Sequence, residues 1–307
     1  MGEIGIVIVT HNSAAEISEC VAAAVATGSP VVVIDNASTD GTRRIVECTS
    51  AQLLANSTNI GFAAAVNQGF IVLNCPYIVL LNPDAVLVSD LSALREACEL
   101  PSAAGAGGLL LDVEGRPQVG FMARQLPTPS ALILEALLLN RICPNNPVNR
   151  RYRGLGLDYR SRIEVQQPAG AFVMIRRDVW KELGGFDEKF HPLWFEDVDF
   201  CRRARDKGYR FFFEPLAVAK HTGGHSIAAL SLEMRQFYWY RSLLKYSAKH
   251  FRPLQFRCVC LAVAAGSVLR GFARAVQERR FKPAAGYGEV VRLAGRCFWL
   301  GREGIQS

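Results

Sequence analysis

The stretch Tyr77-Ile-Val-Leu-Leu-Asn-Pro-Asp84 decides the fold. Its first five residues are apolar, which is typical of a strand that is buried on both faces, as strands inside a parallel sheet are. Asn82 and Pro83 end the strand, because proline has no N–H to donate to a neighbouring strand. The turn therefore carries Asp84 to the carboxyl end of the strand, where open α/β sheets bind their ligands.

Asp84 has two interpretations at this point. A carboxylate at the end of a central strand can bind a divalent cation, and that cation can bind a diphosphate. Asn-Pro-Asp is also an ordinary turn sequence, since Asx and proline residues favour turns. The rest of the chain has to distinguish the two.

Short apolar segments alternate with helical segments on the N-terminal side of this stretch. The predicted strands cover residues 4–9, 31–34, 53–54 and 77–81, and the predicted helices cover 14–26, 43–48 and 63–70. A capping box of Ser13 and Glu16 is expected to open the first helix. This alternation predicts an α/β fold with a doubly wound, Rossmann-like sheet and right-handed crossovers.

The turns of this half exclude two nucleotide-binding classes. The first βα turn reads Thr10-His-Asn-Ser13, so it lacks the G-x-G-x-x-G of dinucleotide dehydrogenases, and no Walker A lysine motif is present. Asp35 ends the second predicted strand, where an acid can contact a ribose or a base. A turn or helix-capping aspartate is the alternative interpretation of Asp35.

Bulk composition is that of a globular protein with a real core. The chain has 307 residues, 50% of them hydrophobic and 21% charged, which predicts one large domain with an appendage, or two domains. The nine cysteines are scattered, without a C-x-x-C pair, and indicate reduced thiols in a cytoplasm. Glu3 lies in the first strand pattern, so no signal peptide is expected.

A second acidic cluster lies in the C-terminal half. Strand character returns over residues 168–175, and a short helix over 177–183 should end at the glycine pair 184–185. Glu196 and Asp197 then stand among aromatic residues, which can raise a carboxylate pKa toward the range that suits proton abstraction. Both acids also fit the first turn of a helix over 197–207.

Two further strands, 211–213 and 218–221, are predicted after that helix. His221 ends the second of them beside glycines that let backbone and ligand approach each other. It could complete a metal site with Asp84.

The region from residue 101 to 167 loses this regular pattern. It contains an apolar helix candidate over 130–139, followed by arginines 141, 150, 151, 153, 160 and 162. The combination is consistent with a lid or with a site for an amphiphilic substrate that carries phosphate. A helix that covers the core beside a solvated loop is the alternative.

Taken in order, the motifs resemble the family-2 inverting glycosyltransferases of GT-A fold, in particular their rhamnosyltransferase-like branch. The motifs are VTHN (9–12), VIDNASTDGT (33–42), NIGFAAAVNQG (59–69), LLNPDA (80–85), GAFVMIRRDVW (170–180), GGFDEKF (184–190), WFEDVDFCRRARDKGY (194–209) and VAKHTGGHS (218–226). The resemblance covers about residues 4–249. It implies a GT-A domain over 1–230, with an acceptor or lid region over about 101–167, and a basic helical extension over 231–307.

The resemblance also implies a role for individual residues. Asp84 and His221 would bind Mg²⁺ or Mn²⁺, and Asp197 would be the catalytic base, with Glu196 beside it. Asn82 occupies the first position of the family's D-x-D motif, so the site has fewer anionic ligands. The residues expected to bind the nucleotide sugar are Thr10, Asn12, Asp35, Asn59, Gly61, Asn67, Asn82 and Gly170.

The implied activity is transfer of a sugar, rhamnose from dTDP-rhamnose, to a lipid-linked or polysaccharide acceptor in cell-envelope glycan synthesis. Another donor, UDP-galactofuranose or a UDP-hexose, is an alternative within the class. A non-catalytic scaffold that binds nucleotide sugars is the alternative outside it. Retention of Asp84, Asp197 and His221 favours an enzyme.

Positive charge is concentrated at the C-terminus. Residues 1–234 hold 21 Lys/Arg and 25 Asp/Glu, whereas residues 235–307 hold 14 and 3. The apolar run 258–269 is shorter than the ~18–20 residues of a spanning helix. We expect a basic amphipathic appendage on an anionic membrane surface, on the inner face of the cytoplasmic membrane. A helical cap on the catalytic domain is the alternative, and no nucleic-acid recognition motif is present.

Overall fold

The computed structural model describes residues 2–223, 230–278 and 284–305. Its strands are β1 (Ile4–Thr10), β2 (Val31–Asp35), β3 (Gln52–Ala55), β4 (Tyr77–Leu81), β5 (Ala85–Leu87), β6 (Ala103–Leu111), β7 (Ala123–Arg124), β8 (Ile163–Val165), β9 (Gln167–Pro168), β10 (Phe172–Arg176) and β11 (Arg210–His221).

Helices alternate with these strands and then follow them. They are α1 (Ile17–Ala26), α2 (Thr42–Glu47), α3 (Phe62–Val72), α4 (Ser92–Cys98), α5 (Pro129–Ala136), α6 (Leu139–Ile142), α7 (Pro147–Tyr152), α8 (Arg177–Leu183), α9 (Glu196–Asp206), α10 (Leu232–His250), α11 (Pro253–Glu278) and α12 (Ala284–Leu300), with a 3₁₀ helix over Gly301–Ile305.

A mixed sheet forms the centre of the fold. Within the described residues it has nine strands in the order β3-β2-β1-β4-β10-β6-β11-β5, and β8 pairs with β11. The first four strands in this order are parallel, and β10 runs antiparallel to both β4 and β6. The doubly wound mixed sheet predicted from the sequence is confirmed.

Strand β4 lies in the middle of this sheet, as its apolar sequence predicts. Ile78 to Leu81 are completely buried. The register pairs Ile8 of β1 with Leu81 of β4 in parallel. The carboxyl ends of the two strands therefore meet at one edge of the sheet, where β1 ends at Thr10 and β4 leads into Asn82.

The predicted capping box is wrong. Helix α1 begins at Ile17 rather than at Ala14, and its N-cap is Glu16, without a side-chain cap hydrogen bond. The main-chain oxygen of Ser13 accepts hydrogen bonds from the N–H groups of Glu16 and Ile17, and the N–H of Ser13 donates to Oγ1 of Thr42. Ser13 is thus held by the first residue of α2, and α1 starts after it.

Strand β11 replaces two predicted strands. Residues 210–221 form one strand along β6, with an irregular register between Glu214 and Val218. Pro215 lies in that irregular segment and has no N–H to donate. The short helix predicted over 177–183 is confirmed as α8, and Gly184 ends it with a left-handed φ of +72°.

The chain divides into two compact units. One comprises residues 1–126, 153–192 and 196–228 and contains the nine-stranded sheet, and the other comprises 127–152, 193–195 and 229–307. In the second unit α5 packs against α11 so closely that a Cβ on Gly266 would lie 1.9 Å from the main-chain oxygen of Ala136. The predicted domain boundary between residues 230 and 231 stays a prediction.

Helix α11 is longer than the apolar run that signalled it. It has 26 residues, and Pro253–Val276, with a mean hydropathy of 1.6, is long and apolar enough to cross a membrane. The prediction that this segment is too short for a span is therefore wrong, because the helix extends on both sides of residues 258–269. Arg279, Arg280 and Lys282, which follow α11 in the sequence, lie outside the described residues.

Candidate active site

Two buried polar atoms mark the carboxyl ends of β1 and β2. Thr10 and Asp35 are register partners, so their side chains lie on the same face of the sheet. Within the described part of the chain, Oγ1 of Thr10 and Oδ1 of Asp35 have no hydrogen-bond partner. Buried polar atoms normally have partners. These two are therefore available to a ligand that carries hydrogen-bonding groups.

The second oxygen of Asp35 is fully used. Its Oδ2 accepts hydrogen bonds from Nε of Arg43 at 2.6 Å and from the N–H of Ser38 at 3.0 Å. Nη2 of Arg43 also donates to the main-chain oxygen of Asn56 at 3.0 Å. Asp35 is thereby held in one orientation, with Oδ1 left over.

Asn12 braces the loop that follows β2. It has a left-handed φ of +54°, a conformation that asparagine tolerates better than most residues. Its N–H donates to Oγ of Ser38, and its side-chain oxygen accepts from the N–H of Thr39, both at 2.8 Å. The hydrogen bonds of Asn12 to Ser38 and Thr39 hold the loop in place.

Asn59 and Gly61 shape the entry to α3. The side-chain oxygen of Asn59 accepts from Nδ2 of Asn36 at 2.9 Å and from the N–H of Gly61 at 3.0 Å. Gly61 has a φ of +88°, and a Cβ there would lie 3.2 Å from the ring of His191 and 3.3 Å from the main-chain oxygen of Pro192. Only glycine fits this position without strain.

Asn67 fastens the loop after α8. Its Nδ2 donates to the main-chain oxygen of Phe186 at 3.0 Å and to Glu188 at 2.9 Å, and its Oδ1 accepts from the N–H of Phe186 at 3.0 Å. Its amide therefore holds the GGFDEKF segment in place.

Asp84 and His221 meet at the end of β4. Strand β5 pairs antiparallel with β11, with Ala85 opposite His221. Oδ1 of Asp84 and Nε2 of His221 are 3.4 Å apart, and both residues are buried. Burial alone would raise the pKa of Asp84, but the hydrogen bond and charge of His221 outweigh it and lower that pKa.

Gln118 and Phe121 contact the His221 ring, Gln118 at Nδ1 and Phe121 at the ring face. Nε2 of Gln118 donates to the main-chain oxygen of His221 at 2.6 Å, so its Oε1 faces Nδ1 of the ring, 3.0 Å away. Nδ1 therefore carries a proton whether or not Nε2 is also protonated, because Oε1 can only accept. The ring of Phe121 stacks on His221 with centroids 5.3 Å apart.

This donor set fits the Mg²⁺ or Mn²⁺ that the resemblance implies. A carboxylate oxygen and an imidazole nitrogen 3.4 Å apart can both ligate one ion, and Gln118 leaves Nε2 directed at it. Among the residues that the structure describes, no group of three or more His, Cys, Asp and Glu side chains is assembled. Positions on the ion would remain for diphosphate oxygens and water, as is usual for Mg²⁺.

Two successive contacts place Asp197 at the same edge of the sheet. The N–H of Asn82, directly after β4, donates to the main-chain oxygen of Ala171 at 2.9 Å. The preceding residue, Gly170, lies against Asp197, and a Cβ on Gly170 would sit 3.4 Å from Oδ2 of Asp197. Asp197, Asn82 and Gly170 are therefore neighbours around the end of β4.

Asp197 has the surroundings of a base. It keeps part of its surface open to solvent, and Nε2 of Gln167 donates to its Oδ2 at 3.2 Å. Burial raises the pKa of Asp197, although N–H groups of Val198 and Gly170 and the Gln167 hydrogen bond oppose this rise. A raised pKa strengthens a carboxylate as a proton acceptor.

Glu196 differs from its neighbour. It is only 5% exposed, and its Oε2 has no hydrogen-bond partner within the described residues. Burial, and then the adjacent charge of Asp197, raise the pKa of Glu196 well above its usual value. The surroundings of Glu196 therefore favour its neutral form over its carboxylate.

Sequence reasoning missed a two-stranded ribbon that faces Asp197. Strands β7 and β9 pair Arg124 with Gln167, and both side chains act on Asp197, one by charge and one by a hydrogen bond. Arg124 also lies over the ring of Phe121, 5.7 Å from its centroid. Gln118, Arg124 and Gln167 fall in the irregular region 101–167, where no periodicity singles them out.

Comparison with known proteins gives the family. The sequence model described as Glycosyl transferase family 2 matches residues 5–184, more than half of the chain. The chain belongs to glycosyl transferase family 2. The predicted family is thus confirmed, and with it glycosyltransferase activity.

Curated relatives place this glycosyltransferase near the rhamnosyltransferases. It is 29% identical over 239 residues to an N-acetylglucosaminyl-diphospho-decaprenol L-rhamnosyltransferase of Mycobacterium tuberculosis, which covers 72% of this chain and 76% of the relative. It is 26% identical over 176 residues to rhamnosyltransferase WbbL of Escherichia coli K12, which covers 56% of this chain and 62% of WbbL.

Solved structures agree on the GT-A fold. The mannosyltransferase PcManGT of Pyrobaculum calidifontis, solved with GDP-Man and Mn²⁺, aligns with a TM-score of 0.52 at 15% identity. The alignment covers 97% of this chain and 87% of PcManGT. S. aureus TarS 1–349 in complex with UDP aligns with a TM-score of 0.51 at 15% identity. That alignment covers 98% of this chain and 92% of the TarS chain. The predicted GT-A fold of the family-2 glycosyltransferase is confirmed.

The family match and the site geometry complement each other. The matched range, 5–184, includes the strand ends at Thr10, Asp35 and Asp84 but stops before Asp197 and His221. Contacts in this structure bring those two residues to the same sheet edge. Gly224, His225 and Ser226, the end of the last motif, lie outside the described residues.

Proposed function

We propose that this family-2 glycosyltransferase inverts the configuration of the sugar it moves. Its donor is dTDP-rhamnose, and its acceptor is a lipid-linked sugar in cell-envelope glycan synthesis. The names of the M. tuberculosis and E. coli relatives, an L-rhamnosyltransferase for a decaprenol-linked acceptor and a rhamnosyltransferase, support this choice.

One observation carries the proposal. Three kinds of chemistry converge on the carboxyl edge of the sheet: the unpartnered oxygens of Thr10 and Asp35, the Asp84–His221 pair and the carboxylate of Asp197. In order, they suit a nucleoside, a metal-bound diphosphate and an acceptor hydroxyl. That is the order of groups along a nucleotide sugar that is under attack.

Donor binding begins at the ends of β1 and β2. Oδ1 of Asp35 would accept a hydrogen bond from a base N–H or a ribose hydroxyl, and Oγ1 of Thr10 lies on the same face. Asn12, Asn59, Gly61 and Asn67 support this pocket through the loops they hold. Asn82 and Gly170 lie closer to the transferred sugar, between the strand end and Asp197.

Asp84 and His221 would hold Mg²⁺ or Mn²⁺. When bound, the ion neutralises the charge that develops on the departing nucleoside diphosphate. The buried pair would fix the position of the ion, and Gln118 would keep Nε2 of His221 directed at that ion.

Asp197 removes the proton from the attacking acceptor hydroxyl. The new glycosidic bond forms on the face opposite the leaving diphosphate, so one displacement inverts the anomeric centre and no protein nucleophile is needed. Glu196, held neutral beside it, limits the negative charge near Asp197. Less negative charge nearby favours the ionised form of Asp197, which its partial burial opposes.

A lipid-linked acceptor implies work at a membrane. We place the enzyme peripherally on the inner face of the cytoplasmic membrane, where nucleotide sugars are available and an anionic leaflet attracts its basic C-terminal part. Nucleic acid is not a partner in this proposal.

The test is a donor panel. Purified protein is incubated with dTDP-rhamnose, UDP-galactofuranose and UDP-hexoses, together with a polyprenyl-diphosphate-linked N-acetylglucosamine acceptor, and the product is identified by mass spectrometry. We expect rhamnose transfer that stops in EDTA and in Asp84→Asn. Transfer from another donor would correct the sugar, and full activity in EDTA would remove the metal. The absence of turnover with every donor would favour a non-catalytic nucleotide-sugar scaffold.

A further inference from the structure

Helix α11 buries one face and exposes another. Phe256, Val259 and Val263 are buried within its own unit, where the helix packs against α5, α10 and α12. The guanidinium of Arg270 points to this side and donates to the main-chain oxygens of Ala136 and Glu135. This face is therefore already occupied by the chain itself.

The opposite face is an uninterrupted apolar stripe. We call it the α11 stripe, and each of its six large members is between 54 and 74% exposed: Leu254, Leu261, Val268, Leu269, Phe272 and Val276. Val268, Phe272 and Val276 follow Leu261 by seven, eleven and fifteen residues, spacings that keep helical side chains on one side, and Leu254 precedes Leu261 by seven. At 1.5 Å per residue, the stripe runs for about 33 Å.

The charges around the α11 stripe have one sign. Every charged residue from 252 to 276 is an arginine, and none is acidic. Arg252 and Arg257 are exposed at the start of the helix. A protein partner is usually met by a rim of mixed charges, whereas an apolar face bordered by cations suits an anionic lipid surface.

We propose that the α11 stripe docks on an anionic membrane, with α11 lying in the plane of the interface. Its six large side chains enter the boundary between headgroups and acyl chains, while Arg252 and Arg257 contact lipid phosphates. Helix α11 does not cross the bilayer in this arrangement, because crossing would strip Phe256, Val259 and Val263 from their packing.

This proposal deepens the proposed function and takes its purpose from it. A transferase that acts on a lipid-linked acceptor gains from a fixed docking face, since the acceptor sugar stays close to the membrane surface. Docking itself requires no turnover, so the two proposals can fail separately.

Vesicle co-sedimentation of the full chain tests the α11 stripe. The probes are phosphatidylcholine vesicles with and without phosphatidylglycerol, and the variants are Leu261→Glu and Phe272→Glu. Leu216→Glu is the matched control, because Leu216 is 72% exposed and belongs to β11 in the other unit rather than to α11. Circular dichroism verifies that each variant folds.

We expect either stripe variant to weaken partitioning into anionic vesicles about 10- to 100-fold, the factor for withdrawing one large apolar side chain. Leu216→Glu should partition as the wild type does. Arg257→Gln should lose about fivefold on anionic vesicles only, and added salt should act in the same direction.

Wild-type partitioning by both stripe variants would overturn the proposal. Light scattering addresses a second copy of the chain as the alternative occupant. A dimer that Phe272→Glu dissociates, with no vesicle binding by the wild type, would show that the stripe pairs copies instead. Rhamnose transfer to a short, soluble acceptor analogue should be unchanged in the stripe variants, and its absence in the wild type would count against the proposed function alone.

Discussion

Replacing Gln118 by Leu should weaken metal binding without touching a metal ligand. Gln118 makes two hydrogen bonds to His221, from Nε2 to the main-chain oxygen at 2.6 Å and from ring Nδ1 to Oε1 at 3.0 Å. Leucine keeps the volume and removes both. The imidazole then loses the group that fixes its tautomer and its orientation toward Asp84.

The expected size follows from these two contacts. Loss of a partner that orients a ligating histidine typically costs 10- to 100-fold in metal affinity, about 1.4–2.8 kcal/mol. Two part-buried hydrogen bonds also stabilise the metal-free fold by ~0.5–1.5 kcal/mol each. Gln118→Leu should therefore lower both the Mn²⁺ affinity and the free energy of unfolding.

The assay is a titration of the protein with Mn²⁺ alone, in which electron paramagnetic resonance counts the free ion. Gln118→Glu should bind Mn²⁺ more tightly than Gln118→Leu, because a carboxylate oxygen still accepts from Nδ1–H, although the hydrogen bond to the main-chain oxygen of His221 is lost. Gln166→Leu is the matched control, since Gln166 accepts from the N–H of Leu126 rather than contacting His221. Unfolding is followed in parallel without metal.

One pattern of results refutes the reasoning. If His221→Ala loses Mn²⁺ while Gln118→Leu binds it as the wild type does, Gln118 has only a structural role. If His221→Ala and Asp84→Asn both bind Mn²⁺ normally, the metal site itself is misplaced.

Two further predictions concern the acidic cluster. Asp197→Asn should lower sugar transfer by ~10²–10⁴-fold, which is the usual contribution of a general base. Its binding of nucleoside diphosphate, measured by calorimetry, should not change. Near wild-type transfer by Asp197→Asn, together with an inactive Glu196→Gln, would mean that the wrong carboxylate was chosen. Glu196→Gln should also change stability with pH. The folded-state pKa of Glu196 is raised, so its neutral form stabilises the fold below the unfolded pKa of ~4.3, and this contribution is lost as pH rises. The Tm of Glu196→Gln relative to wild type should accordingly increase from pH 5 to pH 8, and a constant difference would contradict a buried neutral acid.

The sheet could be predicted from the sequence because its signals are local. Tyr77 to Leu81 is a run of apolar residues ended by Asn82 and Pro83, and these features act within the strand itself. The ends of β1, β2 and β4 then follow, since parallel strands share one carboxyl edge. Asp35 and Asp84 could be named as candidates for that reason alone, whereas Thr10 was named through the resemblance to the family.

The capping box failed because a distant contact outweighs the local motif. The N–H of Ser13 is held by Oγ1 of Thr42, 29 residues away, and α1 starts only after that loop. A serine and a glutamate three residues apart favour a helix start, but the sequence does not reveal which partner the serine will meet.

The role of Gln118 could not be predicted from the sequence for a related reason. It acts on His221 across 103 residues, from a segment that returns to the sheet edge after an irregular turn. Glutamine is common and carries no motif of its own. The role of Gln118 becomes recognisable once the pairing of β11 with β5 has placed His221 at the sheet edge.

The acidic segment at the start of α9 shows how the fold assigns different roles to similar residues. All three acids lie in the first turn, where the helix dipole favours negative charge. Asp199 is completely buried and forms an ion pair with Arg203, whose guanidinium also ties down Leu183. Glu196 is buried, its Oε2 has no hydrogen-bond partner within the described residues, and burial raises its pKa. Asp197 alone combines access to solvent with a raised pKa and an orienting amide from Gln167. The surroundings, rather than the residue type, therefore support Asp197 as the proposed base.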